Sequence, residues 1–284
     1  MNQNSSYRLL DSGDFQKLEI IGGYKLIRPS LNSPYKKSNP ELWNKPDGEY
    51  IKNDRGSGEW NFYKRIPESF IIELDELKFK SKLTPFGHVG FFPEQRHNWN
   101  LISNLKCENN FEVLNLFAYS GISTLACLKK GFPVCHVDSS KGMVEWAREN
   151  SELSGLLGKK VRWIVDDVLK FLKREIKRGR KYGGFILDPP TFGRGANGEV
   201  WKIEEHLIPL LEMMLNLCDF KPEFIMLSCH STGFSSLILE RILKSFIKEN
   251  GKFSSKELSI LEESGNLLSG GFCSYYFSKN IELP

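Results

Sequence analysis

The sequence predicts an α/β fold, a parallel sheet covered by helices on both faces and preceded by a small β-rich module. Three observations carry this. From residue 112 onward, apolar runs at 112–117, 133–138, 161–166, 183–188 and 223–229 alternate with helix-like segments near 121–130, 140–154, 167–178 and 202–217, and such alternation implies a parallel sheet. The residues that could do chemistry close these runs: the 117–121 turn, Asp138, Asp166-Asp167, Asp188 and Cys229. Right-handed crossovers bring all strand carboxyl ends to one rim, where α/β proteins bind ligands. Residues 1–85, by contrast, carry short β-type runs crowded by turn signals, so the chain divides at 1–85 and 86–284.

In the amino-terminal module the runs are Leu18–Ile21, Tyr24–Ile27 and Phe70–Leu74, broken by Gly22-Gly23, Pro29, Pro34, Pro40, Pro46 and Gly48. Lys36, Lys37, Lys45, Lys52, Arg55, Lys64 and Arg65 lie among Trp43, Trp60 and Tyr63. Cations beside stacking aromatics suit RNA; equally, the tryptophans are core and the lysines solvated. The junction His88-Val-Gly-Phe-Phe-Pro-Glu-Gln-Arg96 reads as loop or edge strand, with Gln95 and Arg96 either packing partners or ligand contacts.

The run Val113–Phe117 ends in the turn Ala118-Tyr-Ser-Gly121, and a helix follows. Seventeen residues beyond Gly121 lies Asp138, placed to accept hydrogen bonds from both hydroxyls of a ribose. A dinucleotide needs several glycines so that its pyrophosphate can reach backbone N–H groups at the helix start. Phe117 and Tyr119 stand where those glycines would be, so S-adenosylmethionine, an adenosine without phosphate, fits better than NAD. The competing reading is a structural strand–turn–helix with a surface acid.

The segment 140–154 places Met143, Trp146, Ala147, Asn150 and Leu153 on one helical face and stops at Gly155. Of Asp166-Asp167, one carboxylate is a candidate for the adenine amino group and the other for a helix cap. The next helix carries Lys170, Lys173, Arg174, Lys177, Arg178, Arg180 and Lys181, a solvated face or an RNA contact. Asp188-Pro-Pro fixes an extended backbone and removes two N–H donors, which leaves carbonyls and a carboxylate to grip an amine or base edge, with Phe192 to stack on it. As a bland alternative Asp188 is a turn cap. The loop Gly193-Arg-Gly-Ala-Asn-Gly198 is flexible and offers Arg194 to a phosphate. Ile225–Ser231 ends in a rim thiol: a Cys229 thiolate adding to C6 of a pyrimidine would activate C5, although buried cysteines are commonly inert. Two runs in 252–278 finish the sheet as a hairpin.

With 284 residues and 26% charged residues, the chain is long enough for a catalytic domain plus a small module and is not extended disorder. A net charge of +4 is too small to prove a polyanionic partner. Cysteines 107, 127, 135, 218, 229 and 273 form no C-x-x-C pair, so neither zinc nor a disulfide framework is indicated. Without a signal pattern or an apolar run near membrane length, the chain reads as soluble, cytoplasmic and independent of the membrane.

Asn115-Leu-Phe-Ala-Tyr-Ser-Gly121, His136-Val-Asp-Ser-Ser140, Asp166-Asp-Val-Leu-Lys-Phe171 and Asp188-Pro-Pro-Thr-Phe192, in that order, resemble the class I S-adenosylmethionine-dependent methyltransferases. More narrowly they are similar to bacterial 23S ribosomal RNA methyltransferases of the large-subunit I/K type, a likeness that covers about residues 85–280 and includes Gly90–Arg96. It implies a Rossmann-like seven-stranded sheet, S-adenosylmethionine as cofactor, and ribosomal RNA or a ribosomal subunit as partner. Phe117, Tyr119 and Gly121 would line the methionine, Asp138 would hold the ribose and Asp167 the adenine. Asp188 would lie between cofactor and substrate. Gln95, Ser139, Asp166 and Pro189 complete the expected cofactor site, and Asp188 with Cys229 the catalytic pair. Ser228-Cys-His-Ser231 resembles the thiol motif of cytosine-C5 enzymes, whereas Asp-Pro-Pro-Thr-Phe is equally like guanine-N7 relatives. The expectation is C5 methylation, with guanine N7, an exocyclic nitrogen, or a protein or small molecule as alternatives.

Overall fold

The computed structural model describes residues 6–53, 58–107, 110–195 and 198–283. Arg55 of the basic set and Ala196-Asn197 of the glycine loop lie outside the described residues. The chain forms two compact units: Met1–Glu94 with Ser259–Gly270, and Gln95–Leu258 with Gly271–Pro284. The first unit therefore runs nine residues beyond the expected 85 and recruits the tip of the carboxy-terminal hairpin.

In the first unit, β1 (Tyr7–Gly13), β2 (Gln16–Ile21), β3 (Tyr24–Pro29), β4 (Gly48–Lys52) and β5 (Gly58–Phe62) form a sheet in that order, and β6 (Ser69–Leu74) pairs with β7 (Leu77–Lys82). The Gly22-Gly23 turn has positive φ at both residues, as a tight hairpin requires. Asp14-Phe15 and Asp75-Glu76 adopt the same sign without glycine. Trp43 is core: it is buried, and its indole N–H donates to Asp11 Oδ2 at 2.7 Å. Trp60 donates to Thr84 O at 2.9 Å.

Glu19 is fully buried in this unit. Arg28 donates to it through Nε (2.7 Å) and Nη2 (2.9 Å), Tyr7 OH donates at 2.9 Å, and Lys17 Nζ lies 3.5 Å away. Burial alone would raise its pKa, but Arg28 and then Lys17 outweigh it and hold the carboxyl at about 2 against an ordinary 4.5. A depressed carboxylate contributes stability above its unfolded pKa and loses it as pH falls through the folded one, here roughly 3 kcal/mol between pH 5 and 2. Urea titrations at stepped pH should show this acid limb, and Glu19→Gln should flatten it while lowering stability at pH 7 by about 3 kcal/mol or more.

The second unit holds the seven-stranded sheet, apart from the hairpin tip Ser259–Gly270. Its strands are β9 (Val113–Leu116), β10 (Val134–Asp138), β11 (Val161–Val165), β12 (Gly184–Leu187), β15 (Phe224–Cys229), β16 (Gly251–Leu261) and β17 (Leu267–Ser278), in the order β11-β10-β9-β12-β15-β17-β16. The first five are parallel, and β17 runs antiparallel to β15. The helices are α1 (Arg96–Asn104), α2 (Ile122–Lys130), α3 (Lys141–Leu153), α4 (Val168–Lys177), α5 (Ile203–Asn216) and α6 (Ser236–Phe246). Short pairs join β8 (Lys106–Cys107) to β18 (Ile281–Glu282) and β13 (Phe192–Arg194) to β14 (Val200–Lys202). The parallel strands and α2–α5 fall within a residue of their expected bounds. The sequence reading lacks α1 and α6, and Gly193-Arg194 of its glycine loop lie in β13 of the β13–β14 hairpin.

In α3 the Ser140 hydroxyl accepts from Met143 N, and the buried face is Val144, Trp146, Ala147, Asn150 and Ser151. Leu153, expected inside, is exposed. The basic run of α4 is largely ion-paired. Arg174 pairs with Asp166, Lys170 with Glu199, Arg180 with Glu112 and Lys181 with Asp219, while Arg178 and Arg162 converge on fully buried Glu175. This favours the solvated-face reading over an RNA contact. Chain order reverses between β9 and β12, where β9 lies between β10 and β12, so the crevice for a ligand opens at the carboxyl ends of those two strands.

Candidate functional site

The turn after β9 is built from three left-handed residues: Phe117 (φ 56), Tyr119 (φ 51) and Gly121 (φ 87). For the two aromatics this conformation costs about 1–2 kcal/mol each, so the surroundings must hold it. Ala118 N donates to Val137 O (3.1 Å), Tyr119 N to Asp138 Oδ2 (2.9 Å), and Asn150 Nδ2 to Ser120 O (2.9 Å). A Cβ on Gly121 would lie 2.7 Å from that of Ala147 in α3, so this one position needs glycine both for φ and for close approach. The Phe117 ring packs edge-on to Trp201 at 4.8 Å, and Tyr119 lies 6.1 Å from Trp146. Beneath the turn, Asn115, Thr124 and His136 form a buried hydrogen-bonded chain. Burial pushes His136 down to about 3, so its ring is neutral.

Asp138 ends β10 and ties this turn to the start of α3. Oδ2 takes the Tyr119 N–H and Oδ1 takes the Ser140 N–H at 2.9 Å. A carboxylate has about four lone-pair positions, so two remain for the hydroxyls of a ribose, and a phosphate-free adenosine fits the donor set present. Burial raises the Asp138 carboxyl despite these bonds. Ser139 beside it is exposed. Asp167 caps α4 by accepting from Lys170 N at 3.0 Å, and Asp166 is the partner of Arg174. Of the two acids, then, Asp167 is the cap and Asp166 the ion-paired one, which leaves the adenine contact as an expectation.

Asp188 follows β12, with Pro189 buried behind it. Gln95 Nε2 donates to Asp188 Oδ2 at 3.0 Å. Gln95 is itself held: Asn98 Nδ2 donates to its Oε1 at 2.6 Å, Ser228 Oγ at 3.3 Å, and Tyr275 OH donates to Asn98 Oδ1 at 2.6 Å. Four elements of one unit thus converge on one carboxylate, the arrangement that locks a side chain by packing and hydrogen bonds before a ligand arrives. On its other side, His230 Nε2 lies 3.2 Å from Asp188 Oδ1. Gly271 (φ +116) makes room for that imidazole, since a Cβ there would stand 2.5 Å from His230 Nδ1.

The sequence reading singles out none of Asn98, Tyr275 and His230 as site residues. It places Cys229 at the rim, whereas every residue of β15 is buried and Cys229 is fully so. Burial raises its thiol, with Ser231 N donating to Sγ at 3.4 Å. A strand covered on both faces emerges only past its last residue, Cys229, and the next residue is His230. Phe192 is exposed on β13, with the Arg194 guanidinium 5.9 Å from its ring.

No family model matches the sequence. The ribosomal RNA large subunit methyltransferase K/L of Shewanella frigidimarina is 30% identical over 185 residues, 63% of this chain and 25% of that protein. The ribosomal RNA large subunit methyltransferase I of Tolumonas auensis is 26% identical over 266 residues, 92% of this chain and 63% of that protein. The chain thus spans less than two thirds of the length of these curated relatives. A crystal structure of an S-adenosylmethionine-dependent methyltransferase from Agrobacterium tumefaciens superposes with a TM-score of 0.89 at 32% identity, covering 96% of this chain and 91% of that one. Likeness sustained over nearly the whole of both chains, rather than at one motif, makes this protein a member of the S-adenosylmethionine-dependent methyltransferases, with S-adenosylmethionine as its methyl donor.

Proposed function

We propose that this chain methylates a base nitrogen of ribosomal RNA, with Asp188 as the group that receives the target amine. The observation that carries the reading is the carboxylate of Asp188, fixed by Gln95 at the rim next to two prolines that contribute no N–H. The cofactor supplies an electrophilic methyl group on a sulfonium. The protein has to aim a nitrogen lone pair at that methyl and remove the proton displaced from nitrogen. Asp188 accepts the N–H of the amine, which orients the lone pair. His230, beside Oδ1 and about a third exposed, gives the proton a path to water. The curated relatives supply the substrate class, ribosomal RNA, in their names.

Cytosine C5 needs a thiolate at the rim, and burial works against one at Cys229. The Asp188 geometry therefore supports an exocyclic amine over C5. Cys229→Ala should retain transfer within about threefold, whereas removing a covalent nucleophile costs about a thousandfold or more, and a loss of that size would restore the C5 route. The function itself is tested by nucleoside mass spectrometry of ribosomal RNA from cells with and without the gene, paired with labelled methyl transfer to the unmodified RNA. Absence of any difference in both would overturn it.

A further inference from the structure

The first unit holds a cavity of about 210 Å³ to which methyl transfer gives no role. Drug-sized ligand pockets begin at roughly 300 Å³, so this one has the size of a single ring system. Its lining includes Tyr50, Phe86, His88 and Phe92 together with Lys52 and Glu94. Phe86 is 75% exposed, yet the turn that presents it is pinned. Tyr50 OH donates to Pro85 O (2.9 Å), Trp60 Nε1 to Thr84 O (2.9 Å), Arg28 Nη1 to Gly87 O (3.1 Å), and His88 N to Thr84 Oγ1 (3.1 Å). Gly87 (φ +77) lets the turn sit on the Tyr50 ring, which a Cβ would meet at 2.7 Å. A rigid turn that holds an aromatic ring in water is a stacking platform rather than a loose loop.

Glu94 is the second observation. It is 8% exposed, lines the cavity, and its carboxylate has no hydrogen-bond partner among the described residues. Buried carboxylates are ordinarily hydrogen-bonded, and one that opens onto a cavity is an acceptor waiting for a donor. Lys17 and Arg28 also line the cavity and lie within electrostatic reach of Glu94, but both are engaged with Glu19. Lys52, exposed, adds a cation.

We propose that this cavity takes one unpaired nucleobase of the RNA substrate, stacked on Phe86, with its exocyclic amine donating to Glu94 and its phosphate near Lys52. The proposal rests on the RNA reading above and adds to it a second, non-catalytic contact that selects an amino-bearing base. Bases with an amine are favoured over uracil, which offers carbonyl acceptors where Glu94 requires a donor.

Fluorescence anisotropy of the full chain with labelled oligo(C) and oligo(U) RNA tests this. Wild type should prefer oligo(C). Phe86→Ala should weaken oligo(C) binding about tenfold, Glu94→Gln should erase the preference, and Lys52→Ala should lower the salt slope by about 0.7. All three changes leave S-adenosylmethionine affinity, measured by calorimetry, as a check that the fold is intact. Oligonucleotide binding insensitive to Phe86→Ala and Glu94→Gln, in a protein that still methylates ribosomal RNA, overturns the slot and leaves the function standing. Binding that depends on both residues in a protein that methylates no ribosomal RNA refutes the ribosomal reading and keeps the slot. Cytidine monophosphate displacing oligo(C) as well as unlabelled oligo(C) does would mark a free-nucleotide site and overturn the RNA assignment.

Discussion

Asp188→Asn is expected to lower the single-turnover rate of methyl transfer by about a hundred- to a thousandfold while shifting S-adenosylmethionine affinity less than tenfold. Asparagine keeps the volume and one oxygen. Gln95 Nε2 is a donor aimed at Oδ2, so the new amide turns its oxygen toward Gln95. Its NH₂ then faces the side where His230 stands 3.2 Å from Oδ1. An incoming amine meets a donor where it needs an acceptor, and no carboxylate remains to take its proton. Gln95→Ala removes the clamp without removing the acid, and should cost less in rate, about tenfold, through lost orientation. Transfer by Asp188→Asn within fivefold of wild type would show that the carboxylate does not receive the target. A parallel loss of cofactor binding would place Asp188 on the cofactor instead.

Why part of this was readable from the sequence and part was not follows from how the information is distributed along the chain. Apart from the edge strand β11, which is only half-buried, the parallel strands are buried on both faces and so appear as uninterrupted apolar runs, such as Phe224–Cys229. Glycine marks the Gly22-Gly23 turn, but nothing in Asp14-Phe15 or Asp75-Glu76 announces positive φ. The helix α6 hides because its cap, Ser235, follows a turn-rich Ser231-Thr-Gly-Phe stretch that reads as loop. At the site, Asp138 and Asp188 are legible because strand ends converge on one rim. The support of Asp188 is not: Tyr275 reaches Asn98 across 177 positions of sequence, and no local pattern encodes such a pairing. His230 carries a weaker signal that could have been found, since it is the first residue past a strand with no exposed face. For Cys229 the same reasoning about burial runs against a rim thiol.

Asp138→Ala should weaken S-adenosylmethionine binding by about a thousandfold, more than two ribose contacts at the low end of their range would give. Each hydrogen bond to a charged acceptor contributes about 1.5–3 kcal/mol, so the hydroxyl contacts account for a substantial part. The remainder comes from the turn. Asp138 Oδ2 holds Tyr119 N and Oδ1 holds Ser140 N, both at 2.9 Å, and Tyr119 sits at a φ of 51 that a non-glycine residue does not keep unaided. With the carboxylate gone, the part-buried Tyr119 N–H and the exposed Ser140 N–H lose their acceptor, and the 117–121 turn relaxes toward ordinary φ, withdrawing the surface on which the methionine part would lie. Asp138→Asn separates the two effects, because its amide oxygen still accepts from one of these N–H groups while the negative charge is lost. Calorimetry with S-adenosylmethionine and with adenosine alone should therefore rank wild type above Asp138→Asn above Asp138→Ala for both ligands, with a drop in thermal stability only for Asp138→Ala. Unchanged adenosine affinity in Asp138→Ala would remove the ribose from this residue and reduce Asp138 to a brace for the turn.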